Sequence, residues 1–244
     1  MTSMRVVSLV PSATETLLAW GADVIACTRF CEQPHLPHVG GTKDPDLDAI
    51  AALRPDLVVV DREENRRPDA EALRAAGCEV HVMHVVSVHS AVRDLAALAR
   101  RLGVPAPVWT PPPVPPLERR AFVPIWKRPW MSLNEATYAA SLLAQLGIGT
   151  VMAGHEQRYP TVTLDEVAAR RPDLVLLPSE PYPFAERHLG PMQVAFPDAE
   201  VHLVDGQDLV WWGHRTPGAI ARLARQLGTA WSGGDVDGDE RAVG

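Results

Sequence analysis

The chain has 244 residues, of which 46% are hydrophobic and 22% charged, a composition typical of a globular protein. Its formal charge of −7 excludes a broadly basic face for nucleic acid. No apolar run reaches the roughly 20 residues of a membrane span and no signal peptide is recognisable, so we expect a cytoplasmic protein unless the true start lies upstream.

The first half of the sequence predicts strands that alternate with helices. Ser12 and Glu15 have the spacing of a capping box and predict the start of the first helix, which Gly21 ends. The strands are predicted at 6–10, 24–27, 57–60 and 80–85, with later helices at 47–53, 68–76 and 88–102. This order predicts βαβ units and a mainly parallel sheet.

The second half predicts the same order of elements. Strands are expected at 121–125, 174–177 and 201–204, and helices at 135–146, 164–169 and 217–227. The predicted fold class is therefore α/β, with two Rossmann-like βα lobes, one in each half of the chain.

An internal repeat supports the division into two lobes. Residues 47–63, LDAIAALRPDLVVVDRE, return as LDEVAARRPDLVLLPSE at 164–180, with ten of the seventeen positions identical. Two similar lobes predict a ligand cleft between them. Glu63 and Glu180 occupy matching positions after their strands, which is consistent either with docking onto a two-fold partner or with two solvated loop acids.

A proline-rich segment separates the two copies of the repeat. Seven prolines among residues 105–116 exclude a continuous helix, because proline lacks the amide donor and clashes with the preceding turn. We predict an N-terminal lobe at 1–104, a linker at 105–119, a C-terminal lobe at 120–228 and a disordered tail at 229–244. A module that captures a proline-recognising partner is the alternative.

Aromatic residues are concentrated after the predicted strands of the second lobe. Ligands of open α/β sheets bind beyond the carboxyl ends of the strands. Four of the seven tryptophans follow strands there, together with two tyrosines and a phenylalanine: Trp126, Trp130, Trp211, Trp212, Tyr159, Tyr182 and Phe184. Such a surface suits a broad, partly apolar ligand, and the neighbouring His214 is a candidate ligand to a metal centre.

Two further motifs favour other chemistry. Cys27, Cys31, His35 and His38 offer four zinc ligands on paper, although their spacing is unusual, and Cys27 lies within a predicted strand. An odd count of three cysteines favours reduced thiols over a disulfide framework. Gly40-Gly41-Thr42-Lys43 could hold an anion, but the pattern favours a structural turn, and no catalytic triad is recognisable.

Three segments resemble the helical-backbone metal-chelate receptors, the class III substrate-binding proteins for vitamin B12, haem and iron–siderophore complexes. They are RVVSLVPSATETLLAWG, GGTKDPDLDAIAALRPDLVVVDREEN and LLPSEPYPF, and the cobalamin-binding branch is the most similar. The resemblance covers roughly 5–104 and 120–228 and implies binding without catalysis. It also implies a ligand site drawn from Ser12, Glu64, Trp126, Trp130, Tyr182 and Trp212, and acids for docking onto an ABC permease at Glu63 or Glu64 and Glu180.

We therefore expect a monomeric, non-catalytic protein that binds cobalamin or another corrinoid between its lobes, either for an ABC permease or as an intracellular carrier. A haem or iron–siderophore binding protein is one alternative. The other is a zinc-dependent enzyme built on Cys27, Cys31, His35 and His38. Family members join their lobes with one long helix, so the prolines at 105–116 are a departure that bears on lobe orientation.

Overall fold

The computed structural model describes residues 4–105 and 116–228. Most of the predicted linker and all of the predicted tail, 229–244, lie outside the described residues, so both remain predictions. Within the described ranges, no helix is both long enough and apolar enough to cross a membrane.

The first lobe alternates four strands with four helices. The strands are β1 (Arg5–Ser8), β2 (Asp23–Cys27), β3 (Leu57–Asp61) and β4 (Val80–Met83), and the helices are α1 (Pro11–Ala19), α2 (Leu47–Ala52), α3 (Arg67–Ala75) and α4 (Val88–Leu102). Every strand of this lobe was predicted to within a few residues. Ser87 caps the start of α4, where its side chain accepts from Ser90 N, and Gly103 caps the end in the left-handed conformation.

The second lobe contains the predicted elements and several short ones. Its strands are β5 (Arg119–Phe122), β6 (Trp130–Met131), β7 (Ile148–Thr150), β8 (Thr161–Val162), β9 (Leu174–Pro178) and β10 (Glu200–Val204). Its helices are α5 (Tyr138–Ala144), α6 (Leu164–Ala168), α7 (Leu189–Ala195), α8 (Gly206–Val210) and α9 (Thr216–Gln226), with a 3-10 helix at Glu186–His188.

Two parallel four-stranded sheets have the same strand order. The first runs β2-β1-β3-β4 and the second runs β7-β5-β9-β10, so each strand of one sheet has a counterpart in the other. In a separate ribbon, β6 pairs antiparallel with β8. The α/β class with parallel sheets is confirmed.

The repeated Arg-Pro-Asp sequence has one structural role in both lobes. Arg54 and Arg171 both adopt positive φ angles, 47° and 49°, directly after α2 and α6. Two residues later, Asp56 accepts a hydrogen bond from Arg5 N at 2.8 Å, and Asp173 accepts one from Arg120 N at 2.7 Å. Each copy therefore turns the chain out of a helix and ties the next strand to its neighbour.

Three hydrophobic clusters fill the layers of the fold. One lies on the outer face of the first sheet, between it and α2 and α3, and a second lies between the second sheet and α6 and α7. The third and largest combines residues of both lobes, including Leu17, Leu95, Leu142 and Ile220 from α1, α4, α5 and α9. The inner helices of the two lobes therefore share one continuous core.

Two local predictions were wrong. Ser12 does not cap α1: the N-cap is Val10, no side chain caps this end, and Pro11 occupies the first turn. Ser12 is instead buried within the helix, with 6% of its surface exposed. Helix α5 begins at Tyr138, three residues later than predicted, because Thr137 caps it by accepting from Ala140 N.

Candidate functional site at the lobe contact

The carboxyl ends of the strands face a line along which the two lobes touch. Glu32, which follows β2, accepts a hydrogen bond from Gln207 Nε2 at 2.9 Å. Thr16 of α1 accepts one from His214 N at 3.0 Å. Polar side chains after the strands of one lobe therefore meet polar groups after the strands of the other, as expected for an α/β binding site.

An ion-pair network links the two lobes at this contact. Arg215 makes a bidentate pair with Glu15 of α1, at 2.8 Å from Nε and 2.7 Å from Nη2. The same guanidinium lies 3.6 Å from Asp208, which also pairs twice with Arg222 at 2.6 Å. Planar forks of this kind fix geometry as well as charge, so Arg215 holds α1 against the second lobe.

Glu63 belongs to a second interlobe contact. Its carboxylate accepts a hydrogen bond from Arg158 and lies 3.4 Å from the Tyr159 hydroxyl, while its backbone oxygen accepts from Lys43 Nζ at 2.7 Å. Burial, and then the charge of Glu63, raises the pKa of Tyr159 to about 12. Arg158 therefore engages the carboxylate of Glu63, and the docking role of Glu63 stays a prediction.

Glu64 lies beside this contact and is half-buried. Burial raises the pKa of its carboxyl group, and the charge of Lys43 opposes that shift. A desolvated acid near the lobe boundary is consistent with the predicted ligand-binding role of Glu64. The Gly-Gly-Thr-Lys turn therefore contributes to this contact through the positively charged side chain of Lys43.

Aromatic side chains form a wall on the second lobe. Tyr182 contacts Trp126 edge to face with ring centroids 5.6 Å apart and lies 4.7 Å from Phe184, which stacks on Trp130 at 6.1 Å. His188 packs edge-on against Tyr182 and Phe184. Trp126 keeps 44% of its surface exposed, so this wall presents an apolar face to solvent. The structure brings together three predicted ligand residues.

The β6–β8 ribbon connects the wall to the Glu63 contact. Trp130 pairs with Val162 across this ribbon, and Arg158 and Tyr159 lie immediately before β8. Ser132 N donates to Pro160 O at 3.0 Å, and Asn134 N donates to Arg158 O at 2.8 Å. The aromatic wall and the arginine that meets Glu63 are therefore held by one small element.

The predicted cluster at 211–214 is placed differently from expectation. These residues follow helix α8 rather than a strand. Trp212 is only 4% exposed and belongs to the shared core, so it offers no broad contact surface. Trp211 is buried beneath the Arg215 guanidinium, at 5.0 Å from the ring centroid. The His214 side chain is exposed, so its role as a metal ligand stays a prediction.

Glu180 is the matched acid of the second lobe, and its surroundings differ from those of Glu63. It is half-buried, and burial raises the pKa of its carboxyl group, while a hydrogen bond with Trp211 opposes that shift. The charges of Glu32 and Asp205 raise it further. The two acids are thus equivalent in the repeat but not in environment.

The zinc motif does not assemble. Cys27 and Cys31 are buried, whereas His35 and His38 are exposed, and His38 Nε2 lies 3.1 Å from Gln33 O. Across residues 4–105 and 116–228, no group of three or more histidine, cysteine, aspartate or glutamate side chains is placed to hold a metal ion. The prediction of a zinc-dependent enzyme on these residues is therefore wrong.

A separate surface recess of about 530 Å³ lies on the second lobe beside His155, Glu156 and Arg170. It contains none of the predicted site residues. The interlobe contact combines aromatic surface, ion pairs and strand ends, whereas the recess has none of the aromatic wall. We therefore place the candidate site at the lobe contact.

Several residues of this site were missed as functional candidates. Glu15, Glu32, Gln207 and Arg215 make their contacts with partners 175 to 200 positions away in the chain. No local sequence pattern predicts pairs this far apart in the chain. Arg158 precedes Tyr159, one of the aromatics predicted to follow strands, but its partner Glu63 lies 95 positions away.

Comparison with known proteins agrees with this architecture. Residues 6–107 match the periplasmic binding protein family. A vitamin B12-binding protein of Salmonella paratyphi A is 23% identical over 198 residues, covering 71% of each chain. Among solved structures, the periplasmic vitamin B12 binding protein BtuF of Vibrio cholerae has a TM-score of 0.73 at 18% identity, over 92% of this chain and 96% of that one.

A periplasmic haem-binding protein from Pseudomonas aeruginosa is similar to the same extent. Its TM-score is 0.74 at 18% identity, and the match covers 92% of each chain. These likenesses extend over both lobes, and the proteins concerned are named as vitamin B12- or haem-binding proteins. The first lobe thus matches the periplasmic binding protein family, and the fold of the whole chain is similar to that of periplasmic vitamin B12- and haem-binding proteins.

Proposed function

We propose that this protein binds cobalamin, or another corrinoid, between its lobes without catalysing a reaction. The observation that carries the proposal is the aromatic wall at the lobe contact, with Trp126 and Tyr182 edge to face and Trp126 44% exposed. Flat rings with polar edges suit a large macrocycle that carries amide side chains. The matched relatives named as vitamin B12-binding proteins support the same ligand.

Direct titration tests this proposal. Purified full-length protein is titrated with cyanocobalamin, aquocobalamin and haemin, while visible absorbance and tryptophan fluorescence are followed. We expect saturable binding of a cobalamin. Absence of any change with either cobalamin at concentrations on the order of tens of micromolar, which corresponds to less than about 6–7 kcal/mol of binding free energy, would refute it.

Paired variants locate the site. Replacing an exposed aromatic contact removes roughly 1–2 kcal/mol, so we expect Trp126→Ala to weaken cobalamin binding about 5- to 30-fold. Trp126→Phe keeps an aromatic ring and should retain most of the affinity. Equal affinity for the alanine variant and the wild type would remove the wall from the ligand site.

Haem is the second candidate ligand. The solved haem-binding neighbour from Pseudomonas aeruginosa and the exposed His214 at the end of the interlobe contact favour it. Tighter binding of haemin than of either cobalamin, with a spectrum that changes in His214→Ala, would replace the corrinoid proposal. An unaltered spectrum of any bound chelate in His214→Ala removes that histidine as a ligand.

We also propose that an ABC permease receives the ligand. Glu180 remains the candidate docking acid on the second lobe, whereas Glu63 is engaged with Arg158. In proteoliposomes containing the permease of the same cell, Glu180→Lys should reduce the stimulation of ATP hydrolysis and leave cobalamin affinity unchanged. Full stimulation by this variant would exclude Glu180 from docking.

A further inference from the structure

The side chain of Asn65 joins three segments at the carboxyl ends of the strands of the first sheet. Asn65 follows β3 and is 9% exposed. Its Nδ2 donates to Leu9 O, just after β1, at 3.1 Å and to Thr42 O in the Gly-Gly-Thr-Lys turn at 3.0 Å. Its Oδ1 accepts from Asp61 N at 2.8 Å. One amide therefore uses both donor hydrogens and its acceptor on backbone groups of three separate segments.

Asp61 extends this network to the fourth strand. Its carboxylate is 1% exposed and accepts from Glu63 N at 2.8 Å and from Val85 N, just beyond β4, at 3.0 Å. Asn65 N in turn donates to Asp61 O at 2.9 Å. Together the two side chains hold the segments that follow β1, β3 and β4 and the connection between β2 and α2. A buried network in which every member is paired leaves these loops little freedom to move separately.

The network places two residues of the candidate site. Thr42 O, which accepts from Asn65, immediately precedes Lys43, and the Asp61 carboxylate holds the backbone amide of Glu63. Lys43 Nζ donates to Glu63 O at 2.7 Å. This bond closes a ring of contacts that runs back through Asp61, Asn65 and Thr42. Asn65 therefore acts on the two site residues through the backbone rather than by direct contact.

The opposite edge of the same sheet carries a comparable tie. Asp56, which is exposed, accepts a hydrogen bond from Arg5 N at 2.8 Å where β3 and β1 begin. The length of β3, about 13 Å at roughly 3.3 Å per residue, separates this tie from the end at which Asn65 lies. Asp56 is therefore a matched control, because it joins the same strands far from the candidate site.

We propose that Asn65 is a positioning residue, which fixes Lys43 and Glu63 at the lobe contact so that Glu63 meets Arg158 and both residues are held ready for the ligand. The effect on cobalamin rests on the proposed function, whereas the fixing of Lys43 does not. Removing the Asn65 amide leaves two backbone oxygens without their donor and opens the ring that holds Lys43.

Lysine acetylation under native conditions tests the fixing of Lys43. The chain has two lysines, Lys43 in the first lobe and Lys127 in the second, so mass analysis of their peptides follows each one separately. In the wild type, Lys43 should react about 3- to 10-fold more slowly in the native than in the urea-unfolded chain, because its amine is bonded to Glu63 O. Equal rates in the native and unfolded wild type would overturn the proposal without any variant.

Variants of Asn65 and Asp56 separate positioning from general stability. Asn65→Ala should raise the native labelling rate of Lys43 by about 3- to 10-fold and leave that of Lys127 unchanged. Asn65→Ser is a milder change that serves if the alanine variant does not fold. Asp56→Ala should leave both rates at the wild-type value. An unchanged Lys43 rate in a folded Asn65 variant, or an equal increase in Asp56→Ala, would overturn the proposal.

Cobalamin titration of the same variants connects the positioning to the ligand. Asn65→Ala should weaken binding by about 10-fold, whereas Asp56→Ala should bind as the wild type does. Failure of the wild type to bind either cobalamin would refute the proposed function, and the labelling of Lys43 would still decide the role of Asn65. Wild-type affinity in an Asn65 variant that has released Lys43 would overturn the part of the proposal that concerns the ligand.

Discussion

Gly213 of the second lobe lies directly against α1 of the first, and its substitution tests the lobe contact. Its φ angle is 116°, which residues with a side chain rarely adopt. A Cβ placed there would overlap Thr16 Oγ1 and lie 3.4 Å from Ser12 O on α1. That hydroxyl already donates to Ser12 O at 2.8 Å and accepts from His214 N at 3.0 Å, so it has no free direction in which to move.

The expected magnitude follows from two separate costs. Backbone strain at positive φ costs about 1–3 kcal/mol, and displacing Thr16 loses interlobe hydrogen bonds worth roughly 1–2 kcal/mol in addition. Gly154 is the matched control, because its φ is 80° and nothing lies within 4 Å of an added Cβ. We therefore expect Gly213→Ala to destabilise the fold by at least about 1–2 kcal/mol more than Gly154→Ala, since both substitutions strain the backbone but only Gly213→Ala displaces Thr16.

Urea unfolding of the two variants and the wild type, followed by tryptophan fluorescence, measures these differences. Thr16→Ala removes the obstructing hydroxyl, so the double variant with Gly213→Ala should be more stable than the sum of the single effects by about 1 kcal/mol. Additive effects, or equal losses for Gly213→Ala and Gly154→Ala, would show that the lobes do not pack at this glycine as described.

The other predictions concern charge, pH and helix ends. Glu63→Gln should lower the free energy of unfolding by about 0.5–1 kcal/mol at low salt, because its pair with Arg158 is partly solvated, and a difference that persists near 1 M NaCl would contradict an ionic contact. Burial raises the pKa of Asp61 to about 6, so its protonation stabilises the fold below pH 4 and this contribution is lost as the pH rises towards 6. In the wild type, the free energy of unfolding should therefore fall by about 1–3 kcal/mol between pH 4 and 6, and Asp61→Asn should abolish this fall. The same fall in Asp61→Asn would assign it to another group. Gly147→Ala should cost about 1–2 kcal/mol more than Gly103→Ala in thermal unfolding, because both have φ near 70° but only Gly147 faces backbone at 2.8 Å, and equal losses would exclude that close approach.

The order of strands and helices could be predicted because it depends on local patterns. The Arg-Pro-Asp repeat at Arg54 and Arg171 marked equivalent turns, and α4 spans the residues predicted for it, 88–102. The first-helix cap failed for a local reason as well: Pro11 fills the first turn and leaves no place for Ser12 as a cap. Two-residue strands such as β6 and β8 are too short for any period to reveal.

The site was harder to predict because burial and pairing depend on distant residues. Trp126 and Tyr182 were predicted from their positions after strands, and the structure places their rings in contact. Trp212 followed the same pattern, yet it is core, since α8 rather than a strand precedes it. Glu63 and Arg158 are 95 positions apart in the chain, and the sequence alone does not show that they are close in space.

The hydrophobic core shared by α1, α4, α5 and α9 constrains how the protein can open. A hinge motion that swings one lobe away from the other would expose buried leucines such as Leu95 and Leu142, at about 25 cal/mol for each Å² of apolar surface. The polar contacts at the strand ends involve far less surface. We therefore expect a ligand to enter by local displacement of the residues around Glu32 and Arg158. We also expect the two halves to unfold as one cooperative unit, and neither half to fold when expressed alone.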